Sequence, residues 1–219
     1  DGKVWAWGLG DYGALGLGNQ NNTNRPTQIA GLDDVRYIVC GAFFSMALKN
    51  DGTVWAWGFN DYGQIGNGME DLYCLTPQKI PGLSNAVAIS AGRDHAAALD
   101  SQGRVWAWGN NWSGQMGIGT CGYRMEWTLV PGLDGVGAVT AGSDCSLALK
   151  HDGTVWAWGN GGNGQLGAGS NNSVNKPAKI DGLIGVSGIS VGENFCAALK
   201  ANGEVWTWGW NNYGQLGIG

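Results

Sequence analysis

The 219-residue chain holds 41 glycines, 5 prolines and 13 tryptophans, with 12 basic against 17 acidic residues and a net charge of −5. Glycine far exceeds its usual share of about 7%, but proline is scarce and 43% of the residues are apolar, so the glycine signals tight turns rather than disorder. The basic residues stand singly, which argues against a nucleic-acid surface, and no run approaches the roughly 18 apolar residues of a membrane-spanning helix.

The chain opens on Asp1-Gly2 and then VWAWG at 4–8. GDYGALG follows at 10–16, a polar stretch runs to Pro26, and Gly31-Leu32 leads into a two-part apolar run. The series then begins again. VWAWG returns at 54–58, 105–109 and 155–159, and VWTWG stands at 205–209. The loop after it reads NDYGQIG at 60–66, NWSGQMG at 111–117, GGNGQLG at 161–167 and NNYGQLG at 211–217. The repeats span 1–50, 51–101, 102–151, 152–201 and an incomplete 202–219, within one domain over 1–219.

Each unit predicts four short strands: A at 87–91 and its equivalents, B at 95–99, C at VWAW, and D through the proline at 77–80. The Asx-Gly pairs between B and C are hairpin signals. Repetition of a four-strand unit selects an all-β propeller of four-stranded antiparallel blades, with about 4.4 repeats present. Along strand C the two tryptophans share one face, while Val and Ala share the other. Neither face is polar, so both must be covered. The prediction is bulky against small: Trp5, Trp7, Trp55, Trp57, Trp106, Trp108, Trp156, Trp158, Trp206 and Trp208 pack against the Val/Ala face of a neighbouring blade.

The pattern carried by GRDHAAALDSQGRVWAWGNNWSGQMG at 92–117 resembles the repeat of the regulator of chromosome condensation family, and the resemblance covers the whole chain. It implies a seven-bladed propeller. The chain begins at a B–C turn and ends just after a strand C. The expectation is therefore a window on a longer protein, with open blade faces prone to self-association. The tryptophan-rich wording is most similar to bacterial members, which favours a secreted or cell-surface location over a cytoplasmic one. The motif histidine stands only at His95, and its counterparts are Phe44, Cys145 and Phe195. Its motif position implies a bond to the backbone of the adjacent blade rather than a catalytic pair with Asp94.

Few residues suggest chemistry. His151 reads as a solvated turn residue, no metal-ligand spacing occurs, and the glycine runs lack the Lys-Ser/Thr of a phosphate loop. No catalytic residues, metal or cofactor are expected. Cys40, Cys145 and Cys196 read as small buried residues, while Cys74 and Cys121, in long C–D loops of adjacent units, leave a disulfide open.

The expected function is therefore a non-catalytic protein-interaction scaffold. The resemblance offers alternatives: nucleotide exchange on a small GTPase, or enzyme inhibition like a β-lactamase inhibitory member. It also includes a plant ultraviolet-B photoreceptor with Gly-Trp-Arg-His in the A–B loop, but the loops here read GAFF, GRDH, GSDC and GENF. The partner is another protein. Its site is expected on the end of the ring bearing the A–B and C–D loops, where the repeats differ most. The residues are Phe43, Phe44, Arg93, Asp94, His95, Asp144, Glu193 and Phe195, with Tyr12, Tyr62, Trp112 and Tyr213 in the C–D loops. Aromatics and arginine dominate interface hot spots.

Overall fold

The computed structural model describes residues 2–218, whose strands form five antiparallel sheets. Blade I holds β1 (Trp5–Gly8) and β2 (Thr23–Gln28), joined through a single 3-10 turn at Asp11–Gly13. Blade II is β3 (Val35–Cys40), β4 (Phe44–Lys49), β5 (Val54–Phe59) and β6 (Tyr73–Lys79). Blade III is β7 (Ala86–Ala91), β8 (His95–Asp100), β9 (Val105–Gly109) and β10 (Arg124–Leu129). Blade IV is β11 (Val136–Ala141), β12 (Cys145–Lys150), β13 (Val155–Gly159) and β14 (Val174–Lys179). Blade V is β15 (Val186–Val191), β16 (Phe195–Lys200) and β17 (Val205–Gly209). Strands pair in chain order within every blade, as a propeller requires.

Strand D differs from expectation. β6 starts at Tyr73, four residues before Pro77, and ends before Ile80. Its register explains why: Ala56 pairs with Gln78, but Gly58 pairs with Cys74. The bulge takes up Pro77, which has no N–H to give a ladder, on the outermost strand. The same shift recurs in β14, where Ala157 pairs with Ala178 and Gly159 with Val174.

The blades mate bulky against small. Trp57, Trp108 and Trp158 are 3%, 0% and 1% exposed. Trp108 packs in one core with Val54 and Ala56 of the preceding blade, Trp158 with Val105 and Ala107, and Trp57 with Val4. Burying such an indole removes about 150–250 Å² from water. Each indole also donates its Nε1–H, at 2.9 Å, to a carbonyl in the preceding C–D loop: Trp57 to Ala14, Trp108 to Gln64, Trp158 to Gln115 and Trp208 to Gln165. The last glycine of the loop motif lies on the ring. Gly66 has φ +73°, and a Cβ there would stand 2.8 Å from Trp108 Nε1.

The first tryptophan of each pair behaves differently. Trp55, Trp106 and Trp156 are only half-buried, because they sit at the turn end of strand C. Their Nε1–H groups stay within their own turns, on Thr53 Oγ1 at 3.4 Å, Asp100 Oδ2 at 2.9 Å and Thr154 Oγ1 at 3.3 Å. The core expectation is corrected further at the ends. Trp5, Trp7 and Trp206 are 51%, 59% and 47% exposed. No blade among the described residues covers the first two. Trp206 has no strand D beside it, whereas Trp106 meets Trp127 of β10 edge-on at 4.7 Å. Cys40 is likewise exposed rather than buried, because blade I offers only strands C and D toward it. Cys145 and Cys196 are buried as expected, while Cys74 and Cys121 do not pair: Cys74 is buried on β6 and Cys121 is exposed.

Candidate interaction surface

Strands run up and down in turn, so the A–B and C–D loops gather at one end of the blades and the B–C and D–A connections at the other. Each A–B loop is tight. The glycine N–H donates to the carbonyl of the first residue of strand B, as Gly92 does to His95 and Gly142 to Cys145, both at 2.8 Å. Two residues protrude from each loop: Ala42-Phe43, Arg93-Asp94, Ser143-Asp144 and Glu193-Asn194. The first of the pair meets its neighbour around the axis, with Ala42 N–H on the Arg93 carbonyl at 3.1 Å and Arg93 N–H on the Ser143 carbonyl at 3.2 Å. The second ties to the C–D loop, since the Phe43, Asp94 and Asp144 carbonyls accept N–H groups from Phe59, Asn110 and Asn160 at 2.8–2.9 Å.

The C–D loops are stiffened by their glutamines. Gln64 and Gln115 turn Oε1 back to accept the N–H two residues earlier, from Tyr62 at 3.0 Å and Ser113 at 2.9 Å. Ala14 cannot do this, and there Tyr12 takes φ +56°, an uncommon value for a residue with a side chain. Asn60 and Asn111 close the same loops by accepting the N–H groups of Ile65 and Met116.

On this platform Phe43, Arg93, Glu193, Tyr12, Trp112 and Tyr213 are exposed, while Asp94, Asp144 and Tyr62 are half-buried; Phe195, the first residue of strand B in blade V, instead lies on the blade face that no further described blade covers. Tyr12 touches Phe43 edge-on at 5.4 Å and Phe59 at 4.8 Å, and Phe59 reaches Tyr62 at 6.3 Å. Phe59 was not expected here. Its signal is an aromatic three residues before the loop tyrosine, a spacing repeated by Trp210 and Tyr213, whose rings meet at 5.2 Å. Arg93 Nε lies 3.5 Å from Asp94 Oδ2, and Gln115 Nε2 donates to Asp144 Oδ1 at 3.2 Å. Partial burial pushes both carboxyls above the usual aspartate value, opposed in each by Arg93.

Phe44 and His95 do not belong to this surface. They are 1% and 0% exposed, because the first residue of strand B points between blades. His95 Nε2 is 3.0 Å from Ser146 Oγ of the next blade, and Ser146 donates its own proton to the Gln115 carbonyl at 2.9 Å. Nε2 is therefore the donor to serine. Burial lowers the imidazole pKa to about 4 and keeps it neutral. The bond runs to a neighbouring side chain rather than to backbone, and it leaves Asp94 aside.

Among the described residues no helix is long and apolar enough to cross a membrane, and no cluster of His, Cys, Asp or Glu suits a metal.

Comparison with known proteins agrees with the blade geometry. Human E3 ubiquitin-protein ligase HERC2 is 35% identical over 134 residues, 59% of this chain and 3% of the ligase. The Arabidopsis thaliana ultraviolet-B receptor UVR8 is 32% identical over 124 residues, 54% of this chain and 28% of the receptor. Prp20p of Saccharomyces cerevisiae superposes with a TM-score of 0.88 at 29% identity, covering 99% of this chain and 55% of that one. Human WBSCR16 gives 0.86 at 27% identity, covering 94% and 56%. The chain thus spans a small part of these curated relatives and about half of the solved ones. The RCC1-like domain model matches residues 1–219, and the chain belongs to that family of β-propellers.

Proposed function

We propose that this chain is a non-catalytic protein-interaction module whose partner docks on the end formed by the A–B and C–D loops. The observation that carries this reading is the concentration of exposed hot-spot side chains there. The protruding A–B pairs change from Ala42-Phe43 to Arg93-Asp94, Ser143-Asp144 and Glu193-Asn194, with Tyr12, Trp112 and Tyr213 exposed beside them, while the opposite turns, NDGT, SQGR, HDGT and ANGE, are short and keep glycine at one place. A stiff loop platform suits such a role, because side chains already held in place lose less entropy on binding. The similar Prp20p has been described bound to Kap60 and with binding to Gsp1p and histones, which supports a protein as the class of ligand.

The test is site-specific photocrosslinking in the native cell. A crosslinker at Phe43 or Trp112 should capture one common protein, and that adduct should disappear when the remaining residues of the set are changed to Ala. Adducts formed from His151 or Asp152, and absent from the first end, would move the site to the opposite end.

A further inference from the structure

Charge divides unevenly between the two ends. The loop end holds Asp11, Asp61, Glu70 and Asp71 in the C–D loops and Asp94, Asp144 and Glu193 in the A–B loops. Glu126 comes beside Gly68 of the same loops, and against these eight carboxylates stand four cations: Arg93, Arg124 at the first position of β10, Lys176 against Gly119, and Arg25 at the matching position of β2. The balance of −4 is most of the chain's net charge of −5. At the turn end, counting residues at or beside the strand ends among those described, eight carboxylates meet eight cations, many within a single turn. Arg104 sits 2.8 Å from Asp100, and Lys200 sits 3.3 Å from Glu204. At the loop end Asp94 is the one carboxylate with an ion pair among the described residues.

The aromatic rings divide in the same way. At the turn end the protein covers its own indoles with cations: Lys49 over Trp55 at 5.6 Å, Arg104 over Trp106 at 5.2 Å, Lys150 over Trp156 at 4.8 Å and Lys200 over Trp206 at 4.4 Å. Among the described residues no such contact involves the loop-end rings. Trp112 is 63% exposed and Tyr213 is 85% exposed. At the turn end two carboxylates are ion-paired, Asp51 and Asp152 bond their own threonines, and four indoles lie under cations, whereas the loop end leaves most of its carboxylates without an ion pair among the described residues and Trp112 and Tyr213 open to solvent. A ligand complementary to that end carries cations on flexible stems, because such groups pair with carboxylates and stack on ring faces.

Resting on the docking face proposed above, we infer that its partner is a Lys/Arg-rich protein segment lying across the C–D loops, with its cations on the carboxylates and the exposed rings. The carboxylates steer its approach, so the affinity depends steeply on salt.

The probe is a fluorescein-labelled 12-residue peptide of alternating Lys, Arg and Ser, compared with a Glu/Ser peptide of equal length, by anisotropy. The basic peptide should bind, weaken about tenfold between 50 and 200 mM salt, and leave the acidic one unbound. Asp61→Lys with Asp71→Lys should weaken it at least tenfold, as should Asp11→Asn with Glu193→Gln in a second variant. Asp152→Lys with Asp181→Lys at the turn end should change little. All of these side chains are exposed, so unchanged melting controls for folding. Equal binding of the acidic peptide, or an equal loss in the turn-end variant, overturns the inference. If the photocrosslinked partner is lost on Phe43→Ala but retained on Asp61→Lys with Asp71→Lys, the docking face stands and the basic-segment inference fails. If the partner is lost only from the turn-end variant, both fail.

Discussion

Trp156 and Trp158 are two residues apart on one strand, face the same way and carry the same side chain, yet they are buried to different depths in one core. Trp158 is 1% exposed, rests on Val105 and Ala107 of the preceding blade, and donates to the Gln115 carbonyl. Trp156 is half-buried beneath Lys150 and bonds Thr154 of its own turn. Both reach the core shared with the preceding blade, Trp158 fully and Trp156 in part, and Trp156 also finishes its own hairpin. Depth along the strand, rather than facing, separates them.

The sharpest way to break this comparison is to truncate each indole. Trp158→Ala should cost about 3–5 kcal/mol, the range for a buried tryptophan that leaves a cavity. Trp156→Ala should cost about 2–3 kcal/mol, since part of its surface is already wet. Denaturant unfolding of the two variants measures this directly. Equal losses would mean that depth in the core does not set the cost.

Facing was legible in the sequence because strand alternation is a property of spacing. Depth was not, because the repeat gives both tryptophans the same letters. The acceptors of the inner indoles were also hidden: they are main-chain carbonyls, so Ala14 serves Trp57 as well as Gln64 serves Trp108. The strand count per unit and the bulky-against-small mating followed from apolar residues that repeat at fixed positions. The error at Phe44 and His95 has a specific cause. Variation between repeats suggested a binding surface, but at this position it reflects paired changes across a blade interface. Phe44 shares a core with Ala96, His95 bonds Ser146, and Cys145 meets Cys196. A large, polar or thiol side chain on one blade is matched by its counterpart on the next.

That matching yields the second test, at the interface of blades III and IV. His95 is held neutral with its pKa lowered to about 4, against an ordinary value of 6.5. In this window the unfolded chain binds a proton that the folded chain does not, so stability falls as pH drops from 6.5 toward 4. The loss at pH 4 should reach up to about 3 kcal/mol, the slope of 1.36 kcal/mol per pH integrated from 6.5 down to 4. His95→Phe with Ser146→Ala copies the Phe44 and Ala96 pairing and removes the titrating group. Its stability, measured by urea unfolding across the same range, should lose that component of the slope. If the parent and the double variant fall in parallel, His95 is not what couples this interface to pH.

The smallest expected effect separates two loops that share the indole bond but not their side-chain partners. Gln64 and Gln115 both give a main-chain carbonyl to the next tryptophan, and both cap an N–H with Oε1. They differ at Nε2. That of Gln115 reaches Asp144 at 3.2 Å, whereas that of Gln64 is buried with no partner. Replacing Gln115 by Ala removes two bonds, for about 2 kcal/mol. Replacing Gln64 removes one bond together with an unsatisfied donor, so its net cost should be about 1 kcal/mol or less. Neither change touches the carbonyl beneath the indole, so the near-ultraviolet circular dichroism of the tryptophans should stay that of the parent in both variants. Equal destabilisation would show that Gln64 Nε2 finds a partner in solution. A lost tryptophan signal in either variant would show that the side chain, and not the backbone alone, holds the inner indole in place.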